Sequence, residues 1–125
     1  MNNALQIEGI DIKSAMGRVA GNEKLLRKLL GKFVETQSDA AIRIKTAIDK
    51  NDLESATREA HTIKGLAGNL GADLLFNYAQ NLETLLKKGR PDHLDTTLET
   101  FASELSSLMK RVSLVLEQPK NSTST

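Results

Sequence analysis

The sequence predicts an all-α protein, an antiparallel up-down four-helix bundle with a short extra helix at its N-terminus. Along most of the chain the apolar residues recur at steps of three and four, the period of one helical face, and no strand-like alternation competes. The two prolines, Pro91 and Pro119, both stand at apparent helix boundaries, and the turns between the periodic segments are short. Long helices joined by short turns pack most simply as antiparallel neighbours.

The first two helices have clear starting residues. Asp11 is a suitable N-cap for a short first helix that runs to about Val19 and ends at Gly21. Asn22 can then cap a second, long helix. The inward residues of this long helix are predicted to be Leu26, Leu30, Phe33, Ala40, Ile44 and Ile48.

The third helix is predicted to begin at Asn51, because Asn51 followed by Glu54 resembles a capping box. Gly71 is suited to end it, since glycine readily adopts the left-handed conformation that follows a helix. Its inward residues, again at steps of three and four, are predicted to be Leu53, Ala56, Ala60, Ile63, Ala67 and Leu70.

The last two helices follow the same pattern. The fourth starts at Asp73 and ends at Gly89, and its predicted inward residues are Leu75, Tyr78, Leu82 and Leu85. The last helix follows Pro91-Asp92 and is stopped by Pro119. It carries one continuous inward stripe of Leu94, Leu98, Phe101, Leu105, Leu108, Val112 and Val115.

Composition bounds the domain count and the function classes. The 125 residues give room for one domain, with an N-terminal extension over residues 1–10, the bundle over 11–118 and a disordered polar tail over 119–125. A net charge of +1, 3% aromatic residues and no tryptophan argue against nucleic acid or an anionic membrane as partner. Cysteine is absent, and no apolar run approaches the roughly 18 residues of a membrane span. We expect a cytoplasmic monomer.

The most informative segment runs from His61 to Gly71 and reads HTIKGLAGNLG. Two glycines inside a helix have no local advantage, because each costs about 1 kcal/mol against alanine. Helical spacing places Gly65 and Gly68 on the same face as His61, with the cation Lys64 one turn away. The face therefore combines one imidazole with bare backbone, which suits a histidine that another macromolecule's active site must reach.

A histidine that acts as a nucleophile needs its second ring nitrogen held by an acceptor. The turn after the third helix centres on Gly71 and Ala72, so a residue ten positions before it lies level with one about ten positions after it. The residues level with His61 are Leu82 and Glu83. Leu82 belongs to the inward stripe, which leaves Glu83 as the carboxylate partner of the histidine.

Three further positions complete the predicted surroundings of His61. Lys64 is expected to offset the charge of a phosphoryl group on the outward ring nitrogen. The same register argument, applied to the turn before the third helix, places Ala40 and Ala41 opposite His61. Small side chains there would keep the neighbouring helix from blocking access to the histidine.

These residues carry a family resemblance. The run 60–71, with the helices before and after it, closely resembles the histidine-containing phosphotransfer (HPt) domains of bacterial multistep phosphorelays. The resemblance extends over nearly the whole chain, about residues 10–115. Its specific part is the motif His61, Lys64, Gly65, Gly68 and Gly71.

The resemblance implies a four-helix bundle that neither binds ATP nor phosphorylates itself, and thus a phosphoryl carrier rather than an enzyme. His61 matches the position that accepts phosphoryl from an aspartyl phosphate on one receiver domain and passes it to the aspartate of another. Lys64 matches the cation that follows this histidine, and Gly65 and Gly68 match the glycines that give receivers access. Glu83 matches the polar partner of the histidine, a Gln or Glu in many relatives.

The resemblance also fixes what is expected of partners and cofactors. Response-regulator receiver domains are the implied partners. Whether one of these receivers belongs to a hybrid sensor histidine kinase is left open. No cofactor and no metal are expected on this chain, since in the family the receiver supplies the magnesium and the aspartate.

Other interpretations stay open at this point. The main alternative is a helical interaction module that binds receivers or other partners without phosphotransfer. An autokinase lacks support, because the chain has no room for an ATP-binding domain and no Gly-rich phosphate loop. The two glycines also allow close helix packing as their whole purpose, and Lys64 and Glu83 also fit ordinary surface residues.

Two features outside the motif are interpreted as surface. Lys24, Lys28 and Lys32 recur at every fourth residue with Arg27 beside them, which favours a solvated face over a docking site. At most, this stripe would flank a bound receiver. His93 follows a Pro-Asp helix start and is predicted to be a surface residue.

Overall fold

The structure is a computed structural model that describes residues 5–89 and 91–117. Its helices are α1 (Ile12–Arg18), α2 (Glu23–Gln37), α3 (Ala40–Asp49), α4 (Leu53–Asn69), α5 (Asp73–Lys87) and α6 (Leu94–Glu117). No strand occurs among these residues, in agreement with the predicted all-α class. Pro119 and the predicted tail lie outside the described residues. Within the described part, no helix combines the length and the apolar character needed to cross a membrane.

The helices form a bundle around the pair α4 and α5. These two helices make the most extensive contact, α3 packs against α4, and α6 packs against α5, α2 and α3. The pair is antiparallel, because Gly68 lies beside Phe76 while His61, two turns earlier, lies beside Glu83, two turns later. This register places α5 side chains level with the exposed face of α4.

The prediction of a single long helix after Asn22 is wrong, because the structure has two helices there, α2 and α3. The two helices are separated at Ser38 and Asp39. At the end of α2, the Ser38 hydroxyl and the Ser38 backbone N–H both donate to the Val34 carbonyl, at 2.6 and 3.3 Å. The apolar spacing does not reveal the break, since Phe33 and Ala40 are seven residues apart and both are buried.

The predicted capping box at Asn51 is also wrong. Asp52 is the N-cap of α4, and its Oδ1 accepts from the Ser55 backbone N–H at 3.1 Å while its Oδ2 accepts from the Ser55 hydroxyl at 2.8 Å. Asn51 instead adopts a left-handed conformation with φ 60°. Asn51 therefore provides the left-handed backbone conformation of the turn, and the N-cap of α4 is the next residue, Asp52.

Most of the residues predicted to face inward are buried, and the exceptions lie at the margins. Those only half-buried are Leu53, Tyr78, Leu85 and Val115. On α5 the buried stripe instead runs through Leu75, Ala79, Leu82, Glu83 and Leu86. The stripe is rotated towards α4, because α5 packs most closely on that helix.

The N-terminal segment packs against the turn between α4 and α5. The Asp11 N–H donates to the Gly71 carbonyl at 2.8 Å, and Gly71 has φ +77°. A Cβ on Gly71 would lie 2.6 Å from the Asp11 carbonyl oxygen, so this turn accepts only glycine without rearrangement. Residues 5–10, predicted to be an extension, add Leu5, Ile7 and Ile10 to the core. The predicted domain boundaries stay a prediction.

Candidate functional site

His61 lies on the outer face of α4. Its neighbours Ala60 and Ile63 are fully buried, whereas the His61 side chain is 67% exposed. The helical period explains the difference, because His61 is one position off the buried stripe. The imidazole is therefore open to a large partner.

Glu83 holds one nitrogen of this imidazole. The Nδ1 atom of His61 lies 2.9 Å from Oε2 of Glu83, which is 4% exposed. An ionised carboxylate only accepts hydrogen bonds, so Nδ1 carries the hydrogen and donates it. In the neutral ring, the other nitrogen, Nε2, then has the free lone pair, and it points away from Glu83.

Two lysines share the same carboxylate. Lys64 Nζ lies 2.8 Å from Glu83 Oε1, and Lys87 Nζ lies 3.2 Å from Oε2. The Lys64 side chain is 23% exposed. Lys64 was expected to reach a phosphoryl group on His61, and in this structure it binds Glu83 instead.

Lys87 is a member of the cluster that the sequence analysis missed. It follows Glu83 by four residues on α5, a spacing at which oppositely charged side chains meet on a helix. This spacing is the signal that could have identified it, once Glu83 had been placed beside His61.

The three donors keep Glu83 ionised. Burial alone raises the pKa of Glu83, but hydrogen bonds from Lys64, Lys87 and His61 outweigh it and lower the pKa from 4.5 to about 2. The buried carboxylate therefore stays negative at every physiological pH, and it can stabilise positive charge on the imidazole ring.

The depressed pKa of Glu83 predicts acid sensitivity of the fold. A carboxyl group with a lower pKa in the folded state stabilises fully above its unfolded value of 4.5, and this contribution is lost as the pH falls towards about 2. The full loss amounts to roughly 3 kcal/mol of the free energy of unfolding, and about 2 kcal/mol of it has occurred at about pH 3. Urea unfolding at neutral pH and at about pH 3 should show it in the wild type, with a clearly smaller loss in Glu83→Gln. Equal losses in the two proteins would contradict the prediction.

The two glycines of the motif have different surroundings. A Cβ on Gly65 would meet nothing within 4 Å, whereas a Cβ on Gly68 would lie 3.1 Å from Cδ1 of Phe76. Gly68 thus allows close packing between α4 and α5, which is one of the interpretations left open above. Gly65 has no such packing role, and its bare backbone faces open space.

This difference predicts unequal responses to alanine. Gly65→Ala should raise the free energy of unfolding by up to about 1 kcal/mol, because alanine favours the helix and no neighbour has to move. Gly68→Ala should gain less or destabilise, because the Phe76 ring must shift by a few tenths of an ångström. Denaturant unfolding of both variants measures the two free energies of unfolding. Equal gains in stability would contradict the prediction, because they would mean that the Phe76 ring shifts without a cost in free energy.

Two concave surfaces lie outside the His61 cluster, one between α2 and α4 and one between α3 and α6. Leu29 and Lys32 of α2 and Leu66 of α4 contribute to a small apolar cavity of about 170 Å³, so the lysine stripe lies against α4 at Lys32. An apolar groove of about 690 Å³ runs between α3 and α6 and does not include His61. Ala41, predicted to lie opposite His61, lines this groove.

One ion pair shows the register of α3 against α4. Arg43 Nε donates to Glu59 Oε2 at 3.1 Å, which makes position 41 level with His61. Ala40 is fully buried, so it presents no side chain beside the histidine. His93 is exposed, in agreement with its predicted place on the surface.

The family is shown by comparing the chain with models of known protein families. The family model of the Hpt domain matches residues 28–113, which is more than half of the chain and includes the whole His61 cluster. The chain belongs to the Hpt domain family. Searches of curated proteins and of solved structures each gave no match.

Membership fixes the general role. Hpt domains act in histidine phosphotransfer within phosphorelays, and they are phosphocarriers rather than enzymes with ATP sites. Response-regulator receiver domains are the proteins with which this family interacts. The helical bundle described above agrees with the Hpt fold.

Proposed function

We propose that His61 of this Hpt domain accepts a phosphoryl group from the aspartyl phosphate of one receiver domain and passes it to the aspartate of another. The observation that carries the proposal is the exposed imidazole whose Nδ1 is held by the buried Glu83 at 2.9 Å. This contact leaves Nε2 nucleophilic on an open face.

The transfer follows from this tautomer. The Nε2 lone pair of His61 attacks the phosphorus of the acyl phosphate in line, and the P–O bond breaks with its electron pair leaving on the receiver carboxylate. The Nδ1 hydrogen stays on the ring, hydrogen-bonded to Glu83, so the positive charge that develops on the imidazole faces an ionised carboxylate. The reverse sequence loads the second receiver.

Lys64 and Lys87 act in this proposal by holding Glu83. Their contacts of 2.8 and 3.2 Å keep the carboxylate charged and fixed in position. Positioning of this kind supplies much of the rate when little covalent chemistry falls to the protein. The receiver contributes the aspartate and magnesium, and no cofactor is needed on this chain.

Gly65 serves receiver access in this proposal. The open space beside its backbone lets receiver loops approach Nε2 of His61 without meeting a side chain. Gly68 likewise adds no side chain to this face of α4, and it also lets α5 pack close to α4.

The proposal includes the setting of the domain. The α2–α3 segment, α4, α5 and α6 would be the four members of an up-down antiparallel bundle with α1 as the extra helix. The domain would act as a cytoplasmic monomer, and a hybrid sensor histidine kinase would carry one of its receivers.

The test is phosphoryl transfer from every receiver domain encoded in the source genome. Each receiver is phosphorylated with a radiolabelled small-molecule donor, freed of that donor and mixed with this domain. Appearance of acid-labile, base-stable label on the domain, with loss from the receiver, supports the carrier. Binding of receivers without any label on the domain overturns it in favour of the interaction module.

A further inference from the structure

In the proposed function, the negative charge of a phosphoryl group on His61 needs a nearby cation that is not already bound to Glu83. A phosphoryl group on Nε2 brings up to two negative charges at neutral pH. Lys64 and Lys87, the cations of the cluster, are both bound to Glu83 on the Nδ1 side of the ring. The inference below rests on the proposed function and concerns the cation that meets the phosphoryl group.

Arg58 lies on the other side of His61. At about 100° per residue, a residue three before His61 lies about 60° round the helix in one direction, and Lys64, three after it, about 60° in the other. Lys64 faces α5, as its bond to Glu83 shows, so Arg58 lies on the flank away from α5. Since Nδ1 points to Glu83 on α5, Nε2 lies on the side of the ring away from α5, and Arg58 lies on the side of α4 away from α5.

The spacing along α4 keeps the two groups within reach, although Arg58 itself leans towards Glu54 in this structure. Side chains on a helix tilt towards its N-terminus and cover the preceding turn. The imidazole of His61 therefore leans over the turn that carries Arg58. Side chains three residues apart have Cβ atoms roughly 5–6 Å from one another, well within the reach of an arginine.

Arg58 is free to move to this position. Its side chain is 67% exposed and pairs at 3.5 Å with Glu54, which is itself 87% exposed. Such surface pairs contribute little. Arg58 also borders an open cavity of about 330 Å³, together with Ser55 and Thr62, so its guanidinium can turn without displacing packed side chains.

The other arginine that lines this cavity, Arg43, already has two hydrogen-bond partners. Arg43 donates to Glu59 at 3.1 Å and to the Thr36 carbonyl at 3.1 Å. Glu59 is in turn neutralised by Arg43, which leaves the exposed Glu54, in contact with Arg58, and Asp52, whose charge Arg58 also faces, as the carboxylates that compete for Arg58.

We propose that Arg58 binds the phosphoryl oxygens of phosphorylated His61. A guanidinium presents two parallel N–H donors that match two oxygens of one phosphoryl group. Arg58 thus leaves Glu54 when His61 is phosphorylated, and it stabilises the phosphorylated form on the side opposite to Glu83.

The experiment uses phosphoramidate, so that no receiver is required, and every protein carries His93→Gln so that the exposed His93 is not phosphorylated as well. Its P–N bond breaks to release ammonia as a new P–N bond forms to Nε2, since Nδ1 is blocked by Glu83. The pKa of the phosphoryl group is then measured by phosphorus NMR at low salt in wild type and Arg58→Gln. Removing a nearby cation should raise this pKa by about 0.5–1 unit.

Matched variants separate a contact from a general charge effect. Arg18→Gln removes the same charge from an exposed position of α1 and should leave the phosphoryl pKa unchanged. Arg58→Lys should restore part of the shift, and high salt should shrink the difference between wild type and Arg58→Gln. Equal pKa values in wild type and Arg58→Gln, or an equal rise in Arg18→Gln, would overturn the inference. The transfer test with receivers decides the proposed function separately.

Discussion

Replacing His61 by Gln is expected to abolish phosphoryl acceptance while leaving the fold intact. Glutamine has no nucleophilic nitrogen, so no phosphoryl group can be received at this position. The His61 side chain is 67% exposed and bonds to Glu83, while Lys64 and Lys87 still hold that carboxylate after the substitution. We therefore expect a change in the free energy of unfolding of less than about 1 kcal/mol.

The measurement combines radiolabel transfer from a phosphorylated receiver with urea unfolding of the same samples. His93→Gln is the matched control, since it removes an exposed histidine from the start of α6. It should be labelled like the wild type. Label that persists on His61→Gln at the wild-type level would place the acceptor elsewhere in the chain.

The contact between His61 and Glu83 could be predicted because two simple constraints fix it. The short connection of residues 70–72 makes α4 and α5 antiparallel, and this sets which residues are level. Of the two level residues, Leu82 is apolar and belongs to the inward stripe, which leaves Glu83 as the polar partner. The argument needs only helix periodicity and the position of the turn, and both can be read from the sequence.

The charge arrangement within the cluster could not be predicted in the same way. Periodicity places Lys64 near His61, but it does not say which oxygen a long, flexible side chain will contact. Lys64 and Lys87 converge on Glu83 because that carboxylate is buried and needs partners. Burial of Glu83 depends on how far α5 rotates towards α4, which is a property of tertiary packing.

The division between α2 and α3 was hidden for a related reason. The buried positions of both helices continue one heptad-like register across Ser38 and Asp39. The Ser38 hydroxyl bonds to the Val34 carbonyl at this break, but Thr57 and Thr100 make the same kind of bond inside continuous helices, so this bond alone does not cause the interruption. Hydrophobic patterning reports which side faces the core, and it is insensitive to a break that preserves this side.

Glu83→Ala is expected to slow phosphotransfer by roughly 10–100-fold, the range found when the partner that orients a functional histidine is removed. Without the carboxylate, nothing fixes the hydrogen on Nδ1 or stabilises positive charge on the ring. The loss should appear in the rate at saturating receiver, because Glu83 is buried beneath the surface that a receiver would contact.

Glu83→Gln separates the orienting role of this side chain from its charge. The glutamine carbonyl can still accept from Nδ1 of His61, so transfer should stay within about 10-fold of the wild type. Single-turnover transfer from one phosphorylated receiver measures both variants, with Glu99→Ala on the exposed face of α6 as the control. An alanine variant as fast as the wild type would show that Glu83 does not orient His61. A glutamine variant as slow as alanine would mean that the negative charge, rather than the hydrogen bond, carries the effect.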